Sequence, residues 1–361
     1  MANERKNKYR PDFVLPPGNT LHETIEAMGM TQAQLAARMD CTEKHITGII
    51  KGKSPISEET ALKLERVLGI DASFWRNLEH QYRRYLAEKE EREQLSSQKE
   101  WLKKFPVRDM ISLGWIDKHK DPVDQLSALL DFFGVATWES WKNVWANQTS
   151  FRKSRAFQSN PNFLAAWLRR GEILAEFMDC EPFDKKRFKE ALPELRQLST
   201  LTPENYLPEL KALCSRCGVA VVFLPELPGV RISGATRWLH KDKALIQLSD
   251  RYKKDDHFWF TFFHEAGHIL LHGKKEVFIE EESQKDKDVK EQEADIFARD
   301  TLIHPKKYAR LIHEGKPDLQ KIRSFAQGEK ITPGIVVGRL QHDGIIEFTV
   351  GNALKKSIRL V

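Results

Sequence analysis

Five consecutive residues, His264-Glu265-Ala266-Gly267-His268, could do more chemistry than any other run in this chain. They sit in the apolar, proline-free stretch HFWFTFFHEAGHILLH, so a helix is expected. Helical spacing puts His264 and His268 one turn apart on one face, where both imidazoles can reach one metal ion, with zinc the expected one. Glu265 stands beside them as the general base, placed to take a proton from water activated at that ion. A catalytic zinc needs a third protein ligand and an open position for water. The segment Glu291-Gln292-Glu293-Ala294-Asp295-Ile296-Phe297-Ala298 offers one. Glu291 and Asp295 are four apart and share a helical face, so Glu291 could ligate while Asp295 supports a ligand histidine from behind. Glu293 lies about 200° round the helix from Glu291 and is the poorer partner for Asp295. His272, one turn past His268, is not needed as a ligand, since two histidines and a carboxylate leave the open position. A donor for a tetrahedral oxyanion is also expected, with Arg237, His240, Arg339 and His342 as open candidates.

Several elements must position these residues. Val219–Leu224, Ile232–Trp238 and Lys243–Leu248 read as strands, preceded by a helix over Glu204–Arg216. The HExxH helix follows, then a charged loop over Lys274–Lys290. A second helix runs from Val289 to Leu302 and stops near Pro305. Ile345–Val350 and Ser357–Val361 read as short closing strands. Upstream, residues 105–205 are helical and rich in tryptophan (Trp115, Trp138, Trp141, Trp145 and Trp167, with Trp101 just before), a pattern that reads as core. A very charged helix over Gln81–Lys104 reads as a connector. The expected fold class is α+β: an all-α N-terminal domain over 1–90, a helical middle region over 91–205, and a C-terminal domain over 206–361 with a small sheet and the HExxH helix.

The N-terminal region carries a second constellation. In TQAQLAARMDCTEKHITGIIKGK, Thr31 can cap a helix bearing Leu35, Ala36 and Met39, and Thr42 can cap another bearing Ile46, Ile49 and Ile50 inward. Two short helices joined by the Asp40-Cys41 turn make a helix-turn-helix plan. The second helix turns Thr42, Glu43, Lys44 and Thr47 outward, where a recognition helix faces base edges. Lys51 and Lys53 follow it and could bind phosphate, and Gln32 in the first helix could contact phosphate or a base. A packing or dimerisation hairpin would share the same pattern.

The 361 residues suffice for two or three domains, and a net charge of +6 allows a polyanionic partner without proving one. Four scattered cysteines argue against a disulfide framework, and Cys214-Ser-Arg-Cys217 reads as two thiols on a helix entering a strand. With no apolar run approaching a bilayer span and no signal-peptide core, a cytoplasmic protein with no membrane partner is expected.

With HEAGH and EQEADIFA in order, the stretch from about 219 to 346 resembles the ImmA/IrrE family of bacterial metallopeptidases. The resemblance implies a zincin-like domain with His264, His268 and Glu291 as zinc ligands and Glu265 as general base. The stretch from Pro16 to Tyr85 is similar to the HigA branch of the Cro/repressor-type helix-turn-helix family, through PPGNTLHETIEAMGMTQAQLAARM and HITGIIKGKSPISEETALKLERVLGIDASFWRNLEHQY. That resemblance implies operator binding to double-stranded DNA, usually as a homodimer. Together they imply a transcriptional regulator whose zinc endopeptidase domain cleaves a regulatory protein of repressor type, or itself. Two further readings stand beside it: a non-enzymatic regulator with the zincin domain as sensor, and a HigA-like antitoxin that binds a partner toxin.

Overall fold

The computed structural model describes residues 13–146, 160–251, 253–273, 278–281, 289–313 and 315–358. The chain divides into two compact units, residues 1–99 and 100–361.

Among its described residues the first unit holds five helices, α1 (Pro17–Ala27), α2 (Gln32–Arg38), α3 (Glu43–Ile50), α4 (Glu58–Leu68) and α5 (Ala72–Ser97). Four of the five starts are set by side-chain caps, and α1 opens on Pro17 instead. Thr31 and Gln34 form a reciprocal capping box on α2, and the hydroxyls of Thr42 and Ser57 accept from the N–H of His45 and Thr60. Gly69 ends α4 in the left-handed region, at φ 70°. Leu21, Leu35, Ile46, Ile56, Leu64 and Trp75 are fully buried in one core. Gly18 is required where α1 crosses the end of α3, because a Cβ there would collide with the backbone of Ile49 and Ile50. Buried Glu79 accepts from Ile56 N–H at 3.1 Å and from Arg83 at 2.6 Å, while Arg76 donates to Ile56 O, so α5 is pinned to the turn before α4. The charged connector therefore differs from expectation. It begins at Ala72, where Asp71 caps it, and ends at Ser97; residues 99–104 form a 3-10 helix instead.

The second unit is built on a four-stranded sheet: β1 (Val219–Leu224), β2 (Ile232–His240), β3 (Lys243–Ser249) and β4 (Phe278–Glu281), in the order β1-β3-β2-β4. β1 runs parallel to β3, and the other two pairings are antiparallel. The helices before β1 are α6 (Val107–Ser112), α7 (Pro122–Phe133), α8 (Trp138–Trp141), which passes into a π-helical turn over Lys142–Ala146, then α9 (Pro161–Glu176), α10 (Lys185–Gln197) and α11 (Pro203–Ser215). After β3 comes α12 (Asp255–Leu271), and after β4 come α13 (Val289–Leu302), α14 (Pro305–His313), α15 (Leu319–Glu329) and α16 (Pro333–His342). The fold is α+β. Trp115, Trp138, Trp141, Trp145 and Trp167 are buried, as their helical spacing indicates. No helix among the described residues is long and apolar enough to cross a membrane.

The sheet lies between α12 on one face and α9 on the other. Thr236 donates to the Glu265 carbonyl of α12 at 3.2 Å, whereas its neighbour Arg237 reaches Glu172 of α9 at 3.1 Å, as strand alternation requires. The N-terminal end of α12 is sealed by a distant segment. Asp255 Oδ1 accepts from Lys356 N–H, Asp255 Oδ2 accepts from the Thr332 hydroxyl, and Lys355 pairs with Asp256 at 2.6 Å. Gly334 and Gly338 of α16 face these two aspartates, and a Cβ at either position would strike a carboxylate.

One strand expectation fails, and a strand stands where a loop was expected. Most of the charged loop lies outside the described residues, yet four residues within it form β4 on β2. Ile345–Val350 is turn and bend rather than strand, because the N–H groups of Ile345 and Ile346 both bond Leu340 O and finish α16. Of Ser357–Val361, Ser357 makes an isolated bridge to Lys254, and residues 359–361 lie outside the described residues.

Candidate functional site

α12 and α13 can approach closely because small residues meet where they cross. A Cβ on Gly267 would stand 3.3 Å from the Ala294 Cα and 3.0 Å from Phe297 Cδ1. This contact brings Glu291, one turn before Ala294, against both histidines of α12. His264 Nε2 and His268 Nε2 are 3.0 Å apart, and Glu291 Oε2 lies 3.2 Å from the first and 3.4 Å from the second. All three residues are buried. A tetrahedral zinc holding its ligands at about 2.0–2.1 Å spaces them roughly 3.3 Å apart, so the triangle fits such an ion. The three are positioned to bind a metal, and they form a complete ligand group among the described residues.

The electrostatics suit a cation. Burial pushes the His268 imidazolium down to about 4, against the opposing pull of Glu291, so this ring stays neutral with a lone pair to offer. Burial would raise the Glu291 carboxyl, but the His264 and His268 rings beside it outweigh that and hold the group well below the usual carboxylate range.

Each of these two histidines is also held from behind. His264 Nδ1 is 2.9 Å from Asp295 Oδ1. His268 Nδ1 is 2.9 Å from His272 Nδ1, and His272 Nε2 is 3.0 Å from Glu293 Oε2. Glu265 is fully buried between α12 and β2. Gly234 makes room for it, since a Cβ there would stand 2.7 Å from Glu265 Oε1 and 2.6 Å from Thr261 Cγ2.

Three of the four oxyanion candidates are engaged with other groups. Arg237 is buried on the α9 face of the sheet against Glu172, where burial lowers its pKa. His240 accepts from Asp242 N–H at the exposed end of β2. Arg339 is held by Asp343 at 2.6 Å and lies over the Tyr308 ring, and His342 is exposed at the end of α16. Sequence reasoning missed the His272–Glu293 contact and the role of Gly234. The four-residue step from His268 to His272 was the available signal for the first. Cys214 and Cys217 are buried free thiols whose pKa burial raises, which makes them inert.

Residues 214–340 match the IrrE N-terminal-like domain. Both helices of the triangle and the whole sheet lie within the matched residues. Residues 21–75 match the helix-turn-helix family. Antitoxin HigA from Pseudomonas aeruginosa, solved with the higBA promoter, is 26% identical, with a TM-score of 0.20; the match covers 21% of this chain and 83% of that one. An addiction module antidote protein of the HigA family from Coxiella burnetii is 28% identical, covers 23% of this chain and 91% of its own, and scores 0.21. These scores are too low to argue from. No curated protein matches the sequence.

In the helix-turn-helix domain, α3 leaves Glu43 and Lys44 exposed, and Lys51 and Lys53 are exposed in the turn after it. Thr42 is exposed, but its hydroxyl oxygen already accepts from His45 N–H at 3.2 Å. The structure brings Gln32 and Thr47 together: the Thr47 hydroxyl donates to Gln32 Oε1 at 2.9 Å, tying α2 to α3. Ile46 and Ile49 point inward, whereas Ile50 is only half-buried.

Proposed function

We propose that this protein is a DNA-binding regulator whose IrrE-like domain is a zinc-dependent endopeptidase acting on a regulatory protein of repressor type, or on the chain itself. The single observation that carries the enzymatic reading is the buried triangle of His264, His268 and Glu291, with ligand atoms 3.0–3.4 Å apart. His264 Nε2, His268 Nε2 and Glu291 would hold zinc, which supplies Lewis-acid activation of water and of a peptide carbonyl. Asp295 accepts from His264 Nδ1–H and so keeps the Nε2 lone pair directed at the ion. Glu265, on the same helix and buried against β2, takes the proton from the attacking water and returns it to the leaving amine.

The helix-turn-helix match supports the other half of the reading. Gln32, Thr42, Glu43, Lys44 and Thr47 would face the major groove, with Lys51 and Lys53 on phosphate. Operator DNA read as two half-sites would take the protein as a homodimer. The antitoxin reading is set apart by the peptidase-type site, which neutralising a toxin does not require.

The test uses the full-length chain loaded with zinc and a candidate repressor as substrate. Glu265→Gln is expected to lose about 10²–10⁴-fold in cleavage rate while binding zinc as the wild type does. Equal cleavage by both forms would remove the mechanism. For the DNA half, Lys44→Ala and Thr47→Ala should weaken gel shifts on the protein's own promoter, and unchanged shifts would sink those contacts.

A further inference from the structure

We infer that His272 and Glu293 are positioning residues that set the tautomer of the ligand His268 through two hydrogen bonds in series. The inference rests on the zinc reading of the His264–His268–Glu291 triangle. It concerns the opposite edge of the His268 ring from the triangle. His268 turns Nε2 toward His264 and Glu291, and its Nδ1 lies 2.9 Å from Nδ1 of His272. Only one of two facing ring nitrogens can carry the shared proton when both rings are neutral. The other end of the His272 ring decides which one. His272 Nε2 is 3.0 Å from Glu293 Oε2, and a carboxylate only accepts, so Nε2 carries the proton. The neutral His272 ring then has a bare Nδ1, which accepts from His268 Nδ1–H. With its proton fixed at Nδ1, His268 presents an unprotonated Nε2 to the triangle.

The reverse arrangement is disfavoured at one point. A proton on His272 Nδ1 would leave His272 Nε2 bare against the carboxylate of Glu293, lone pair to lone pair. Asp295 does the same for His264 directly, at 2.9 Å from its Nδ1. The two ligands are thus oriented by chains of one and two links. The placement of the second chain favours this role over a fourth ligand. The His272 side chain is 3% exposed, and the ring nitrogen it directs at His268 meets the edge facing away from the triangle. Glu293 is 54% exposed and sits at the outer end, where it can be changed without disturbing the core.

The experiment measures zinc affinity of the full-length protein by competition with a chromophoric chelator, with thermal melting of the metal-free protein as the folding control. Glu293→Lys replaces an acceptor with a donor and turns the tautomer preference round, so affinity should fall roughly 10–100-fold. Glu293→Gln keeps a carbonyl oxygen that can accept from His272 Nε2–H, and should stay within about threefold of wild type. His272→Phe should lose about as much as Glu293→Lys, and adding Glu293→Lys to it should cost nothing more. A simple surface-charge effect of Glu293 would persist in the His272→Phe background, and that result would overturn the inference. So would unchanged affinity in Glu293→Lys, a variant at an exposed position that is expected to fold. A wild-type chain that takes up no zinc would overturn the metal reading and this inference together. A wild type that binds zinc and is indifferent to position 293 overturns this inference alone.

Discussion

At residue scale, Asp255 shows most clearly how a buried charge couples this fold to pH. It is 3% exposed at the first turn of α12 and lies near Asp256 and Tyr206, with Lys355 paired to Asp256 and Thr332 and the Lys356 backbone donating to it. Burial is the largest influence and pushes its carboxyl from 3.8 up to about 6, against the hydrogen bonds that favour the charged form. The folded state therefore binds a proton more tightly than the unfolded chain between those two values. Stability from this group is fully present below the unfolded value and is lost as pH rises through about 6. A rise of that size makes the group's contribution on the order of 3 kcal/mol at most. Asp255→Asn should flatten the dependence of unfolding free energy on pH between 3.8 and about 6, and denaturant titrations across that range measure it. An unaltered slope would remove the assignment. Two corners of the triangle were legible in the sequence, because helical spacing brings His264 and His268 to one face, and Glu291 was legible as a candidate on the second helix. The link from Glu293 to His268 was not, since it depends on how α12 and α13 cross, and no local pattern encodes a crossing.

At the scale of elements, the positions that control the site are those where a side chain is missing. Gly234 lets β2 lie against Glu265, and its replacement is expected to act on that carboxylate before it acts on the ligands. Gly234→Ala should reduce hydrolysis of a repressor substrate far more than it reduces zinc affinity, because the new Cβ would stand 2.7 Å from Glu265 Oε1. Equal losses in both measurements would contradict this. β1 could be read from its apolar run, β2 from a mixed polar-apolar stretch after Pro-Gly punctuation, and β3 from its alternation. β4 could not, because four residues in a charged stretch leave little period to detect. Ile345–Val350 misled for the opposite reason. Its apolar residues resemble a strand, but Ile346 is buried singly, and the backbone donors that a ladder would need are spent on the end of α16. Of the four polar side chains offered for oxyanion binding, strand parity sends Arg237 to the α9 face, opposite α12.

For the molecule as a whole, two units with separate cores should unfold separately. Of the nine tryptophans only Trp75 lies in residues 1–99, so indole emission reports almost wholly on residues 100–361. Zinc at about a hundred times its dissociation constant should stabilise that unit by about 2.7 kcal/mol, and a chelator should withdraw the same amount. The expected result is a tryptophan transition that moves with zinc and a helical circular-dichroism component from the first unit that does not. A single transition that moves as one would refute independent units. The seal on α12 bears on the order of events during synthesis. Asp255 and Lys356 are 101 residues apart, so the ribosome makes the HExxH helix well before it makes the segment that closes its N-terminal end. At about 5–20 residues per second, this gap lasts roughly 5–20 s. During it His264 and His268 already exist on the nascent chain while the helix that carries them is unsealed. Completion of the buried triangle of His264, His268 and Glu291 is thereby timed to the end of this domain's translation, and a chain arrested short of residue 356 should not yet hold it in its final form.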